Sequence, residues 1–148
     1  MKKLTAVLVV VLGLVLTFSL MGFSKKEGCK VTGGVQVMIS GDMANFSFNA
    51  HSKKQMGEAV WVRHLAGGGT KKHKVRVDSV ICEPSEDDTD MWFAGKAVSG
   101  PRAGKRVKFL VADNGTPGAM GDKVWVKWEG GSWSDAFEAV GGNLVVHK

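Results

Sequence analysis

Two runs of strict alternation face each other across a glycine-rich loop between Lys105 and Glu129, and they leave the backbone few options. Val107, Phe109 and Val111 alternate with Arg106, Lys108 and Leu110, while Val124, Val126 and Trp128 alternate with Lys123, Trp125 and Lys127. Side chains change face at every residue in a strand but repeat about every 3.6 residues in a helix. Each apolar set therefore lies on one side of a strand and would be scattered around a helix. Asn114, Gly115, Pro117, Gly118 and Gly121 supply turn chemistry between the arms. The pattern predicts a half-buried β-hairpin.

The same period recurs along the chain. Val35, Val37 and Ile39 alternate with Gln36, Met38 and Ser40; after Gly41 and Asp42, Phe46 and Phe48 alternate with Asn45, Ser47 and Asn49. Further strands are predicted over Glu58–Leu65, over Lys74–Cys82 with Val75, Val77 and Ile81 on one face, and over Met91–Val98. A weaker pattern covers Trp133–Val140, and a short strand, Asn143–His147, follows Gly141 and Gly142. Twenty glycines against three prolines, with no pattern of an amphipathic helix, fit strands punctuated by turns. The expected fold is all-β, an antiparallel meander of about eight strands closed into a barrel or folded as a sandwich. Strand spacing leaves both open.

The N-terminus reads separately. Met1, Lys2 and Lys3 precede an apolar run from Leu4 to Phe23, and Gly22 and Ser24 are small residues suited to signal peptidase. Residues 1–24 are expected to be an export signal, 25–32 an N-terminal segment and 33–148 a single β-rich domain. The alternative is an uncleaved anchor, since the run approaches the roughly 20 apolar residues that span a bilayer; membrane contact is expected only by that route. The protein is thus expected outside the cytoplasm, either secreted or in the periplasm or at the cell surface, which argues against an intracellular nucleic-acid role. Without Lys2 and Lys3, 18 basic residues stand against 14 acidic ones, a net charge of +4. Cys29 and Cys82 are candidates for a disulfide in an oxidising compartment, with two unbonded thiols as the alternative. A bond closing that loop would contribute about 3 to 4 kcal/mol on the chain-entropy account.

Several groups of residues bear on chemistry. The acidic stretch after Cys82 includes Glu86, Asp87, Asp88 and Asp90, carboxylates of the kind that hold Ca²⁺, but it lacks the glycine and spacing of an EF-hand, so a solvated loop is the plainer reading and no cofactor is expected. His51, His64, His73 and His147 match no metal-binding spacing and read as surface or turn histidines. No Gly-x-Ser-x-Gly elbow or Cys/His signature marks a nucleophile. A hydrolase is accordingly the third choice. Basic residues cluster at Lys71, Lys72, His73 and Lys74 and again at Arg102, Lys105, Arg106 and Lys108, and Trp92, Trp125, Trp128 and Trp133 offer flat faces. Alternation puts Trp125 on one strand face with Lys123 and Lys127. With Arg106 and Lys108 across the hairpin, these form an expected basic and aromatic patch for an anionic glycan or cell-envelope polymer.

Four further stretches are Gly33-Gly34, Ala44-Asn45-Phe46-Ser47-Phe48-Asn49-Ala50, Val111-Ala112-Asp113-Asn114-Gly115-Thr116-Pro117-Gly118 followed by Gly121-Asp122, and Gly141-Gly142-Asn143-Leu144-Val145-Val146-His147. Together they resemble the post-COAP domain of bacterial exported proteins. The resemblance spans nearly all of the chain beyond the signal. It implies an extracellular β-rich module and carries over no catalytic residues. The chain departs from that pattern in its longer acidic loop and its two cysteines, and it is expected to stand alone behind a signal. The leading expectation is an exported, non-catalytic binding or adhesion module. Its rival is a barrel that carries a small apolar ligand lined by Phe46, Phe48, Phe93, Phe109 and Trp128.

Overall fold

The computed structural model describes residues 28–82, 90–114 and 121–148. The expected signal and the candidate calcium residues Glu86, Asp87 and Asp88 lie outside them. The strands are β1 (Lys30–Ile39), β2 (Asp42–His51), β3 (Met56–His64), β4 (Thr70–Ile81), β5 (Met91–Ser99), β6 (Arg106–Ala112), β7 (Lys123–Trp128) and β8 (Phe137–His147). Each pairs antiparallel with the next, and β8 returns to β1. Of the two expected architectures, the chain adopts the closed barrel. Val31 pairs with Ala50 of β2 on one side and Val146 of β8 on the other, so the first strand has no open edge.

Alternation places the core as the sequence predicts. Phe46, Phe93, Phe109, Val107, Val111 and Val124 point inward and are almost fully buried. Eight strands leave an interior just wide enough for side chains to fill. Phe48 lies 5.2 Å from Phe93 and 5.5 Å from Phe109, and Phe93 lies 5.2 Å from Phe109. Phe46 continues this column to Trp61 at 5.1 Å. The phenylalanines expected to line a carrier cavity thus pack on one another.

Three local departures have physical causes. First, β8 runs unbroken through Gly141 and Gly142, where a loop and a separate terminal strand were expected. Pairing passes from Gln36↔Gly141 to Val37↔Ala139, leaving Val140 as the extra residue of a bulge. Gly142 takes a φ of 89°, and a Cβ there would overlap the Gly34 carbonyl oxygen, so glycine serves the strand here. Second, Ile81 does not share a face with Val75 and Val77. A bulge at Asp78, between the pairs Val77↔Gly95 and Ser79↔Ala94, shifts the alternation so that Val80 is buried and Ile81 faces outward. Third, β1 begins at Lys30, inside the stretch read as an N-terminal segment, and Val31 is fully buried.

One end of the barrel carries both ends of the strand array and the Cys29–Cys82 disulfide, whose Cα atoms are 5.7 Å apart. The bond ties the residue before β1 to the end of β4, two strands that are not neighbours. Among the described residues the seam between β7 and β8 is the shortest, with Lys123↔Glu138 and Val124↔Phe137 paired. Aspartates extend it. The Asp122 carbonyl accepts from Ala139 N at 2.8 Å, and its buried carboxylate accepts from Leu144 N at 2.9 Å and Asn114 N at 3.2 Å. The Asp113 carboxylate accepts from Val146 N at 2.8 Å, and that of Asp90 accepts from Asp113 N at 2.8 Å.

Candidate functional site: a basic and aromatic outer face

Strand pairing lays the outward residues of β5, β6 and β7 in rows. Trp92 stands beside Leu110, and Leu110 beside Trp125; in the next row Ala94 stands beside Lys108, and Lys108 beside Lys127. All five residues expected to form the patch, Arg106, Lys108, Lys123, Trp125 and Lys127, therefore share this outer face. Their charges are not equivalent. Arg106 donates two hydrogen bonds to Asp78, at 2.7 and 2.9 Å, which hold the Asp78 carboxyl below the usual carboxylate range. The bulge that re-aims β4 is what exposes Asp78 to this partner. Lys123 Nζ lies 3.9 Å from the Glu138 carboxylate.

Lys108 and Lys127 remain, directly opposite each other across the ladder, with no carboxylate partner among the described residues. Each instead sits near an indole: Lys108 Nζ is 5.7 Å from the Trp92 ring centroid and Lys127 Nζ is 6.0 Å from that of Trp133. Trp133 is held there because its segment docks along β7. It bridges to Lys127, Ser134 N donates to Val126 O at 2.9 Å, and Val126 N donates to Ser134 Oγ at 3.0 Å. The expected strand over 133–140 is therefore this docked segment followed by β8 from Phe137. Trp133 is 39% exposed, and Trp92 and Trp125 are half-buried. The face is convex and open, with three indoles around two unpaired ammonium groups.

Trp128 lies elsewhere. It points inward at the end of the barrel opposite the disulfide, where the rings of Trp61 and His73 lie 6.4 and 5.2 Å from it. His73 is 7% exposed, which corrects its assignment as a surface or turn histidine: it shares the inward face with Val75 and Val77. Burial first, then the nearby Arg102 and Lys71 charges, hold its imidazole below the ordinary 6.5. Sequence patterning did contain a signal for this cluster, since His73 occupies the apolar phase of its strand. Asp90 also proves structural: besides accepting from Asp113 N, it meets Lys148 Nζ at 2.5 Å. Among the described residues no group of three or more His, Cys, Asp or Glu is placed to hold a metal ion.

Comparison of the chain with family models, with curated proteins and with solved structures found no match.

Proposed function

We propose that the protein is a non-catalytic binding module, working outside the cytoplasm, that holds an anionic polysaccharide or cell-envelope polymer on the outer face of β5, β6 and β7. The observation that carries this is the Lys108–Lys127 pair. Like charges directly opposite on a ladder destabilise it, yet neither lysine has a carboxylate partner among the described residues. A polyanion laid across the strands supplies the missing counter-charge, and Trp92, Trp125 and Trp133 offer apolar faces against which sugar rings stack. The resemblance to an exported surface domain and the expected signal at residues 1–24 support the same location.

Heparin and uncharged dextran serve as probes. Heparin should bind with an affinity that falls as salt rises, because the contact is ionic and exposed, and dextran should bind weakly or not at all. K108Q/K127Q should lower the heparin affinity and flatten its salt dependence; W125A should lower the affinity with the salt slope retained. Identical elution of wild type and K108Q/K127Q from heparin would refute the assignment.

A further inference from the structure

The end of the barrel away from the disulfide holds a second feature. A cavity of about 170 Å³ opens there, lined by Trp61, Arg63, Lys71, His73, Arg102 and Trp128, with Pro101 beside them. It is assembled from three sources. Trp61 and Trp128 close the interior as the last inward-facing rings of β3 and β7, and His73 is the cross-strand partner of Trp61. Arg63 and Lys71 pair with each other one step further out on the same inward phase. The turn between β5 and β6 brings in Arg102, whose guanidinium carbon lies 4.9 Å from the Trp128 ring centroid. Two basic clusters far apart in the sequence, one around Lys71 and one around Arg102, thus meet at this mouth.

The charged groups of the pocket are unbalanced toward positive. Trp61 Nε1 and His73 Nδ1 are buried, and neither has a hydrogen-bond partner among the described residues; which partner His73 Nδ1 lacks depends on its tautomer. An indole N–H can only donate, so what it lacks is an acceptor. Arg63 is satisfied by Asp42, at 2.7 Å, and by the Ile39 carbonyl at 3.2 Å. Lys71 and Arg102 have no carboxylate partner among the described residues. Leaving a buried donor unmet is costly, and buried polar groups in folded proteins are almost always paired. The mouth is therefore short of negative charge, and the Trp61 N–H, buried beneath it, lacks an acceptor; the space is below the usual range for drug-sized ligands.

We propose that the barrel mouth is a binding site for a small carboxylate, its charge answered by Lys71 and Arg102 and its oxygens accepting from the Trp61 indole N–H once the groups that cover that buried atom give way. The three rings of Trp61, His73 and Trp128 form a largely apolar wall. Such a wall favours a flat, singly charged and weakly hydrated anion over a phosphate dianion, whose desolvation costs more. His73 sits inside the same field, beside Lys71, Arg102 and the Arg63–Asp42 pair, and an anion bound next to it raises its affinity for a proton. The site is separate from the outer face of β5 to β7 and does not depend on it.

The test is an NMR titration of the full mature chain, following the Trp61 indole N–H and the His73 ring resonances. The probes are acetate, glucuronate, inorganic phosphate and glucose. Acetate or glucuronate should move the Trp61 signal saturably and raise the pH at which His73 titrates, and glucose should do neither. K71Q/R102Q changes only residues at the rim and should weaken carboxylate binding at least tenfold, whereas W125A on the outer face should leave it unchanged. A Trp61 signal that stays fixed with both carboxylates up to tens of millimolar overturns the proposal. So does movement with phosphate alone, or carboxylate binding unaltered in K71Q/R102Q. Loss of heparin binding in K108Q/K127Q with this titration intact would separate the two sites.

Discussion

Asp122→Ala is the substitution expected to open the barrel. The β7–β8 seam contains two ladder pairs, and beyond them the buried Asp122 carboxylate accepts from Leu144 N and Asn114 N. A hydrogen bond to a charged group contributes about 1.5 to 3 kcal/mol, and alanine removes two while leaving both N–H donors without their acceptor. The Asp122 carbonyl still accepts from Ala139 N, so the backbone part of the seam survives. The expected loss is about 3 to 6 kcal/mol, a large share of the 5 to 15 kcal/mol that holds an ordinary domain together. Asp122→Asn keeps one acceptor oxygen and turns an amide N–H₂ toward the other donor, so its loss should be near half as large. Urea unfolding gives both values, and amide exchange locates them: Leu144 and Asn114 should lose protection before the β1–β2 ladder does. A loss below about 1 kcal/mol in Asp122→Ala, the scale of one ordinary hydrogen bond, or unchanged exchange at Leu144, would refute the view that this carboxylate closes the barrel.

Other perturbations test other parts of the fold. Cys82→Ser should destabilise by about 4 kcal/mol on the chain-entropy account, given the 53-residue separation of Cys29 and Cys82, and a reduced wild type should unfold at the same urea midpoint as the variant. Gly142→Ala should cost more than the ~1–2 kcal/mol of a left-handed backbone, because the new methyl also meets the Gly34 carbonyl oxygen; a thermal midpoint equal to wild type would exclude that crowding. His73 titrates below its ordinary 6.5 in the folded state, so the unfolded chain binds its proton first. Its contribution is complete above about pH 6.5 and is lost as pH falls below it, down through the folded value. His73→Gln should therefore flatten the decline of the urea midpoint between about pH 7 and pH 5, the range in which histidine changes charge; His51, also lowered by burial and by Lys30 and Lys54, retains its own share. An unchanged pH profile in His73→Gln would count against a buried neutral imidazole.

Much of the fold is legible as alternation, and the failures occur where alternation is interrupted. Phe46, Phe109 and Val124 declare their inward direction because their strands hold one phase throughout. At Asp78 and Val140 an inserted residue reverses the phase; nothing local marks it at Asp78, and beside Val140 the Gly141-Gly142 pair reads equally as a turn, so neither the phase of Ile81 nor the continuity of β8 is legible in the pattern. Closure itself depends on whether residue 31 finds residue 146, a contact that neither strand encodes alone. The β6–β7 part of the outer face is visible because those two strands belong to one hairpin, whereas the contribution of Trp92 from β5 is not. What the sequence hid was the charge pairing: Asp78 reaches Arg106 from β4, and Glu138 reaches Lys123 from β8. The assembly of the mouth is hidden for the same reason: His73 shows its inward phase, but Trp61, His73 and Trp128 come from three strands and Arg102 from a turn.

The pairing of β1 with β8 also imposes an order of events. The barrel is a ring whose first and last members must meet, so every earlier strand can find its sequential neighbour while β1 still presents an unfilled edge. Closing that ring draws together the most distant parts of the chain, and such high contact order makes for slow folding. At a synthesis rate of about 5 to 20 residues per second, the interval between the appearance of β1 and of β8 lasts several seconds or more. During that time the chain cannot reach its final state. The closure that leaves the finished barrel without an edge thus also acts as a delay on its completion.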